Sequence, residues 1–174
     1  LYHYMGLARN VMRYGWIIPY LFGASASVCK SFMKDYHEHD LEEFDDNTFY
    51  LPYATSLRMG DIGYQNSQEE EKGVKANYNS LHNYVHSLRA AMQTSCKDFE
   101  EIGLKKDGEY QQLNTNILQI ANEYYASVRP KPLLHGMDRP LRALTNNGIG
   151  YIEIRSLDVN PLISLGIDKP QIQF

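Results

Sequence analysis

A chain of 174 residues is long enough for one domain with a real core, and its composition, 43% hydrophobic and 22% charged, is that of an ordinary globular protein. A net charge of −4 with no basic stripe argues against a nucleic-acid partner, because neutralising phosphates takes clustered Lys and Arg. No apolar run approaches the roughly 20 residues that span a bilayer: the longest candidate, Trp16 to Ala26, is broken by Pro19 and Gly23.

In chain order, Tyr4, Leu7, Ala8, Val11 and Met12 share one face of a predicted helix over 2–14. An apolar stretch then runs to a turn at Gly23, and Ser25 or Ser27 is placed to cap a short helix ending near Met33. Residues 34–47 are polar and acidic and read as a solvated loop; their His37, His39 and carboxylates have no fixed metal-ligand spacing. Residues 48–57 look extended, and Gly60, Gly63 and Asn66 mark an irregular loop. Tyr78, Leu81, Val85, Leu88 and Met92 recur at spacings of three and four, which predicts a helix over 77–94. His82 and His86 fall one turn apart on it, outside any H-E-x-x-H context, and read as surface residues. Ser95 and Gly103 bound a short helix, and Asp107-Gly108 predicts a hairpin turn. A helical segment to about Asn122 is expected next, then an extended run from Glu123 to Lys131, closed by Pro130 and Pro132. Asp138 and Pro140 open a helix over 139–146. The β-branched content of Ile149 to Val159 predicts a strand. Helices and strands mix without a βαβ rhythm, so the expected class is α+β with an antiparallel sheet and surrounding helices.

Cys29 and Cys96 are isolated in sequence and read as reduced thiols. With no signal peptide in view, they suggest a cytoplasmic protein. The chain opens on Leu1 directly in helical periodicity and stops at Phe174 without a polar tail. It is therefore expected to be one partial domain, residues 1–174, from the middle of a longer catalytic domain.

Three segments can carry chemistry. Alternation along a strand puts Ile152 and Ile154 on one face and Tyr151, Glu153 and Arg155 on the other. A carboxylate can hold Mg²⁺ and a guanidinium can clamp a phosphate; the same pair could equally be a surface ion pair. In the run 123–131, Glu123, Tyr125, Ser127, Arg129 and Lys131 share one face and Tyr124, Ala126 and Val128 the other. Arg58 sits between an apolar stretch and a glycine-punctuated loop, where it can grip a substrate carboxylate bidentately or anchor Asp61. There is no GxxxxGK[ST] loop and no GxGxxG, so any ATP use would rest on metal-binding carboxylates and arginines.

The strings YATSLRMGDIGYQN, LQIANEYYASVRPK and YIEIRSLDVNP, preceded by GWIIPYLFGAS, occur in an order and at separations that resemble the proteobacterial class of glutamate–cysteine ligases. The resemblance implies a glutamine-synthetase-like fold whose antiparallel sheet forms the active-site surface. It implies ATP-dependent joining of the L-glutamate γ-carboxylate to the amino group of L-cysteine through a γ-glutamyl phosphate, the first step of glutathione synthesis. By the same resemblance, Glu153 matches a Mg²⁺ (or Mn²⁺) ligand and Arg155 a catalytic, phosphate-contacting residue. Arg58 matches a substrate-carboxylate arginine, and Tyr64 and Tyr125 match positions lining the cysteine pocket. Three positions depart from the family pattern: Ala121 stands where Glu is frequent, Ser127 replaces a proline, and Gly150 replaces an acidic residue. The remainder of the enzyme chain would be needed to complete the site. A related ligase with another amine acceptor, and a non-catalytic binding domain on the same scaffold, are the competing readings.

Overall fold

The structure, a computed structural model, describes residues 2–33, 41–60, 62–63 and 75–174. Contacts divide the chain into two units, Leu1–Arg9 with Asn66–Glu153 and Asn10–Gln65 with Ile154–Phe174. The divisions fall inside the first helix and between Glu153 and Ile154.

In the first unit, the start of helix α1 (Tyr2–Tyr14) buries Met5 and Ala8. Arg9 donates through Nη1 to the carbonyls of Tyr78 (2.9 Å) and Asn79 (3.2 Å), which ties the helix to the approach of the next long one. That next helix spans Leu81–Ala91. Ser80 caps it, its Oγ accepting from the Asn83 amide at 3.1 Å and satisfying one of the orphan donors of the first turn. It buries Tyr84, Val85, Leu88 and Ala91; of the face read from the spacing, Val85 and Leu88 are buried on the helix, Tyr78 is buried ahead of it, and Leu81 and Met92 are partly buried, and the helix packs on another over Pro140–Asn147 that buries Leu141, Ala143 and Leu144. The Lys97–Ile102 helix lies between them in sequence, followed by a hairpin of Lys105–Lys106 with Glu109–Tyr110. Asp107 (φ 53°) and Gly108 (φ 88°) both take the left-handed conformation that a tight two-residue hairpin turn demands. Two further strands, Val128–Lys131 and Tyr151–Ile154, pair with each other.

In the second unit, a short helix over Ile17–Phe22 precedes a three-stranded antiparallel sheet. Its central strand, Thr48–Tyr50, pairs with Ser27–Cys29 on one side and Glu42–Asp45 on the other. Met33, Leu57 and Ile62 form its buried cluster, covered by Val28, Leu41, Phe49, Leu51 and Ala54. A one-turn helix, Lys169–Gln173, carries a reciprocal cap: Asp168 accepts from the Gln171 amide and Gln171 from the Asp168 amide. Among the described residues the α-helices in chain order are α1, α2 (Ile17–Phe22), α3 (Leu81–Ala91), α4 (Lys97–Ile102), α5 (Pro140–Asn147) and α6 (Lys169–Gln173). The strands are β1 (Ser27–Cys29), β2 (Glu42–Asp45), β3 (Thr48–Tyr50), β4 (Lys105–Lys106), β5 (Glu109–Tyr110), β6 (Val128–Lys131) and β7 (Tyr151–Ile154).

The α+β class is what the sequence led one to expect, in the form of helices mixed with small antiparallel sheets. Several local expectations differ. Ser27 lies in β1 instead of capping a helix, and only a 3₁₀ turn, Lys30–Met33, follows. The acidic 42–45 stretch, expected as loop, is β2, because Thr48–Tyr50 offers it a hairpin partner. No helix forms over 114–120. There Asn114 and Asn116 side chains take backbone groups, Asn114 Oδ1 from the Asn116 amide (2.9 Å) and Asn116 Nδ2 to the Met92 carbonyl (2.6 Å), the local competition that disfavours helix. The predicted strand 149–159 contracts to β7. Lys131, the last residue of its partner β6, accepts the Gly150 amide at 2.8 Å just before β7, and beyond Ile154 the chain leaves the pair and buries Ser156 and Asp158. Residues 34–40, with His37 and His39, lie outside the described residues.

Candidate functional site

Arg58 and Arg155 come together in the second unit. Arg58 Nε donates to the Arg155 carbonyl at 2.6 Å, across 97 residues of sequence. What holds the two segments is a set of groups around Asp158. This carboxylate is 6% exposed, and its Oδ2 accepts from the Ala24 amide (2.9 Å) and the Ser25 hydroxyl (2.7 Å). Ser25 in turn forms an isolated parallel bridge with Ser56 and accepts the Leu57 amide at 2.7 Å, while its hydroxyl lies 3.2 Å from that of Ser56. Ser56 Oγ also accepts the Arg58 amide at 3.1 Å. Asp158 therefore sets residues 24–25, these set residues 55–57, and Arg58 leaves that frame beside Arg155. Gly63 fits the same turn: a Cβ there would stand 2.1 Å from the Arg58 carbonyl oxygen.

The sequence reading missed this frame. Its signal was present, since Asp158 lies among apolar residues in the same YIEIRSLDVNP string, but it was placed on a continuing strand. Instead the chain leaves β7 after Ile154 and buries Ser156 and Asp158. Ser156 Oγ is buried and has no hydrogen-bond partner among the described residues.

Tyr125 and Glu153 belong to the first unit. Glu153 Oε2 pairs with Lys131 Nζ at 3.0 Å between β7 and β6, both side chains about a quarter to a third exposed (22% and 33%). Such a half-exposed pair contributes little stability, of the order of 0–1 kcal/mol. The expected clean alternation on β7 is not seen: Tyr151 and Ile154 are the exposed residues, and Ile152 and Glu153 are intermediate. The core of this pair is on the β6 side, where Val128, Arg129 and Pro130 are buried, and β7 is its more exposed strand. Alternation in the 123–131 run is closer to expectation. Tyr124, Ala126 and Val128 are buried, and the Tyr125 ring is 48% exposed. Tyr64, the other expected pocket aromatic, lies outside the described residues.

Arg129 departs from its expected polar face and is 5% exposed. Its Nη2 donates to the Ala121 carbonyl at 3.0 Å, and its Nε is buried without a partner. This guanidinium closes the turn that carries Tyr124 and Tyr125. Nearby, the Tyr78 hydroxyl donates to the Val128 carbonyl at 2.9 Å, and burial pushes the Tyr78 phenol well above its ordinary pKa, so it stays protonated and keeps that bond. Gly150 lies on Leu133. A Cβ at 150 would meet the Leu133 side chain at 2.6 Å and its amide nitrogen at 2.9 Å, so the acidic residue frequent in the family pattern has no room in this packing.

For a divalent cation the described residues offer Glu153, an oxygen donor of the kind Mg²⁺ prefers. Among the described residues no group of three His, Cys, Asp or Glu side chains is placed to hold a metal. Glu153 therefore fits as one ligand of a set that these residues do not complete.

The family model for glutamate–cysteine ligase matches residues 2–174, essentially the whole chain. The chain belongs to the glutamate–cysteine ligase family. It is 49% identical over 171 residues to the glutamate–cysteine ligase of Pseudomonas entomophila (strain L48) and 51% identical over 173 residues to that of Baumannia cicadellinicola, covering 98% of this chain in both comparisons. It spans 32% of each, about a third of the length of the curated relatives it matches. Among solved structures, the glutamate–cysteine ligase of Francisella tularensis in complex with AMP superposes with a TM-score of 0.84 at 39% identity, over 99% of this chain and 34% of that one. A bifunctional glutathione synthetase from Pasteurella multocida shares the fold at a TM-score of 0.55 and 24% identity, with 98% of this chain aligned to 16% of that one. The small antiparallel sheets and mixed helices described above are thus a section of the ligase-family fold. Among the described residues, no helix is long and apolar enough to cross a membrane.

Proposed function

We propose that this chain is the central part of a single catalytic domain that joins L-glutamate to L-cysteine at the expense of ATP, in the cytoplasm, as the first step of glutathione synthesis. The observation that carries the reading is the Arg58–Arg155 junction, where the Arg58 side chain bonds the Arg155 backbone, in a chain that matches the ligase family over residues 2–174. The AMP held by the Francisella relative supports the nucleotide.

The chemistry accounts for the residue types. ATP transfers its γ-phosphoryl group to the γ-carboxylate of glutamate, giving an acyl phosphate and ADP. The cysteine amine then attacks the acyl carbon, and phosphate leaves. The first step brings two anions together, so positive charge must be in place beforehand. Arg155 supplies it at the transferring phosphate. Arg58 holds a substrate carboxylate. Tyr125 and Tyr64 line the cysteine pocket, each with an apolar ring face for the thiol and a hydroxyl for a polar neighbour. Glu153 is one ligand of a Mg²⁺ or Mn²⁺ ion, which when bound would offset phosphate charge. Lys131, 3.0 Å from Glu153, competes for the same carboxylate.

The test is phosphate release by the complete enzyme with ATP, glutamate and a panel of amines. Release should be greatest with cysteine; faster release with a non-thiol amine would assign the chain to a related carboxylate–amine ligase. Metal titrations address Glu153. Glu153→Gln should raise the Mg²⁺ concentration needed for half-maximal rate, and Lys131→Met should lower it. Unaltered titrations in both would remove Glu153 from the metal set.

A further inference from the structure

We propose that His82 and His86 form a two-nitrogen site for a borderline divalent transition-metal ion of the Zn²⁺, Ni²⁺ or Cu²⁺ class on the exposed face of α3. The proposal does not depend on the ligase reading, and none of the roles above uses these residues.

The geometry comes from the helix. Residues four apart stand one above the other on the same face. The two imidazole rings here lie nearly parallel, at 28°, with centroids 6.3 Å apart. A metal–nitrogen bond of about 2.1 Å puts a ring centroid roughly 3.2 Å from the ion, so two ligating rings have centroids at most about 6.4 Å apart. The observed separation is within that limit, and the tetrahedral angle preferred by Zn²⁺ brings the centroids to about 5.2 Å, so the rings close by roughly 1 Å on binding. Both histidines are solvent-exposed, so small rotations about their side-chain bonds can close the angle at the ion without moving the backbone.

The surroundings favour this class of ligand. The two rings line a cleft of about 250 Å³ between α3 and α5, whose other walls include Leu81, Val85, Leu144 and Thr145. Val85 and Leu144 are buried and form an apolar floor. No carboxylate lines the cleft, so hard cations that require oxygen ligands gain nothing there, whereas neutral imidazole suits Zn²⁺, Ni²⁺ and Cu²⁺. The cleft leaves room for water at the remaining coordination positions, so the ion would be exchangeable. Arg89, also at the cleft, donates through Nη2 to Thr145 Oγ1 at 2.9 Å. Its guanidinium is thereby held toward α5, yet its charge still opposes a cation, so its removal should strengthen binding.

The experiment is calorimetric titration of the complete protein with Zn²⁺ in excess Mg²⁺. Wild type should show a site that Mg²⁺ does not displace. His82→Ala and His86→Ala should each weaken it by about tenfold or more, while Arg89→Ala should bind as tightly or more tightly. Both histidines are exposed, so the variants should keep their far-ultraviolet circular dichroism. Cu²⁺ electron paramagnetic resonance reads ligation directly, through nitrogen couplings lost in His86→Ala. Unchanged titrations in both histidine variants would overturn the proposal, as would loss of the site in His37→Gln/His39→Gln instead. Binding of inorganic phosphate that depends on His82, His86 and Arg89, with no Zn²⁺ site, would overturn it too.

Discussion

Arg155 is the residue on which the proposed chemistry turns. Its carbonyl is fixed by Arg58, so its backbone is held in place whatever its side chain does. Arg155→Ala should therefore leave the fold intact and lower turnover of the complete enzyme by roughly 10²-fold or more, the scale of losing one charge-stabilising donor. Steady-state rates beside a thermal melt would check this, and an unchanged rate would return Arg155 to an ordinary surface charge. Arg129 poses the opposite case. A buried guanidinium whose Nε has no partner is costly, because desolvation is not repaid. Ala121, whose carbonyl already takes one of its nitrogens, is the position where the family pattern often has Glu. Ala121→Glu should bring a carboxylate to that guanidinium and raise the thermal midpoint by a few degrees, corresponding to about 1 kcal/mol. A lower midpoint would mean that the added side chain does not reach Arg129.

At the scale of elements, the frame around Asp158 matters more than any strand. Its carboxylate takes a backbone amide and a hydroxyl from residues 24–25, and through Ser25 and Ser56 the same frame sets the stem of Arg58. Asp158→Ala takes the acceptor from two partly buried donors, at a cost of about 1–3 kcal/mol in all. The expected outcome is a destabilisation of that order in urea unfolding, together with a rise in KM for glutamate as Arg58 loses its alignment. Loss of stability with an unchanged KM would separate the frame from the site. Helix α3, by contrast, was readable from its spacing, because helical periodicity is a local property, although the expected start at 77 moves to Leu81, after the Ser80 cap. The shortening of the 149–159 strand was not readable. β-branched residues favour extended backbone, but the chain beyond Ile154 is drawn off by Asp158, whose carboxylate takes the Ala24 amide and the Ser25 hydroxyl, 134 and 133 residues away in sequence.

At the scale of the whole molecule, the chain spans about a third of its relatives' length, and large apolar side chains stand in solvent. Leu162 is 92% exposed, Leu165 85% and Met137 101%. Among the described residues, the proposed site has one carboxylate where Mg²⁺ takes several oxygen ligands. The 174-residue segment alone is therefore expected to give no phosphate release with ATP, glutamate and cysteine, and the complete enzyme to give it. Turnover by the segment alone would show that these residues carry a whole site.

The sequence by itself determined the α+β class, the amphipathic α3, the hairpin at Asp107-Gly108 and the family, because periodicity, turn chemistry and ordered motifs are all written along the chain. It also placed Glu153 and Arg155 two residues apart on one string with Arg58 far upstream. Only the tertiary structure decided that Arg58 meets the Arg155 backbone, that Asp158 organises the segments around them, and that Arg129 is buried while Tyr125 is half exposed. Each of these depends on groups distant in sequence reaching one another. Burial and hydrogen bonding are settled by which segments the fold brings together, and local residue patterns do not record that.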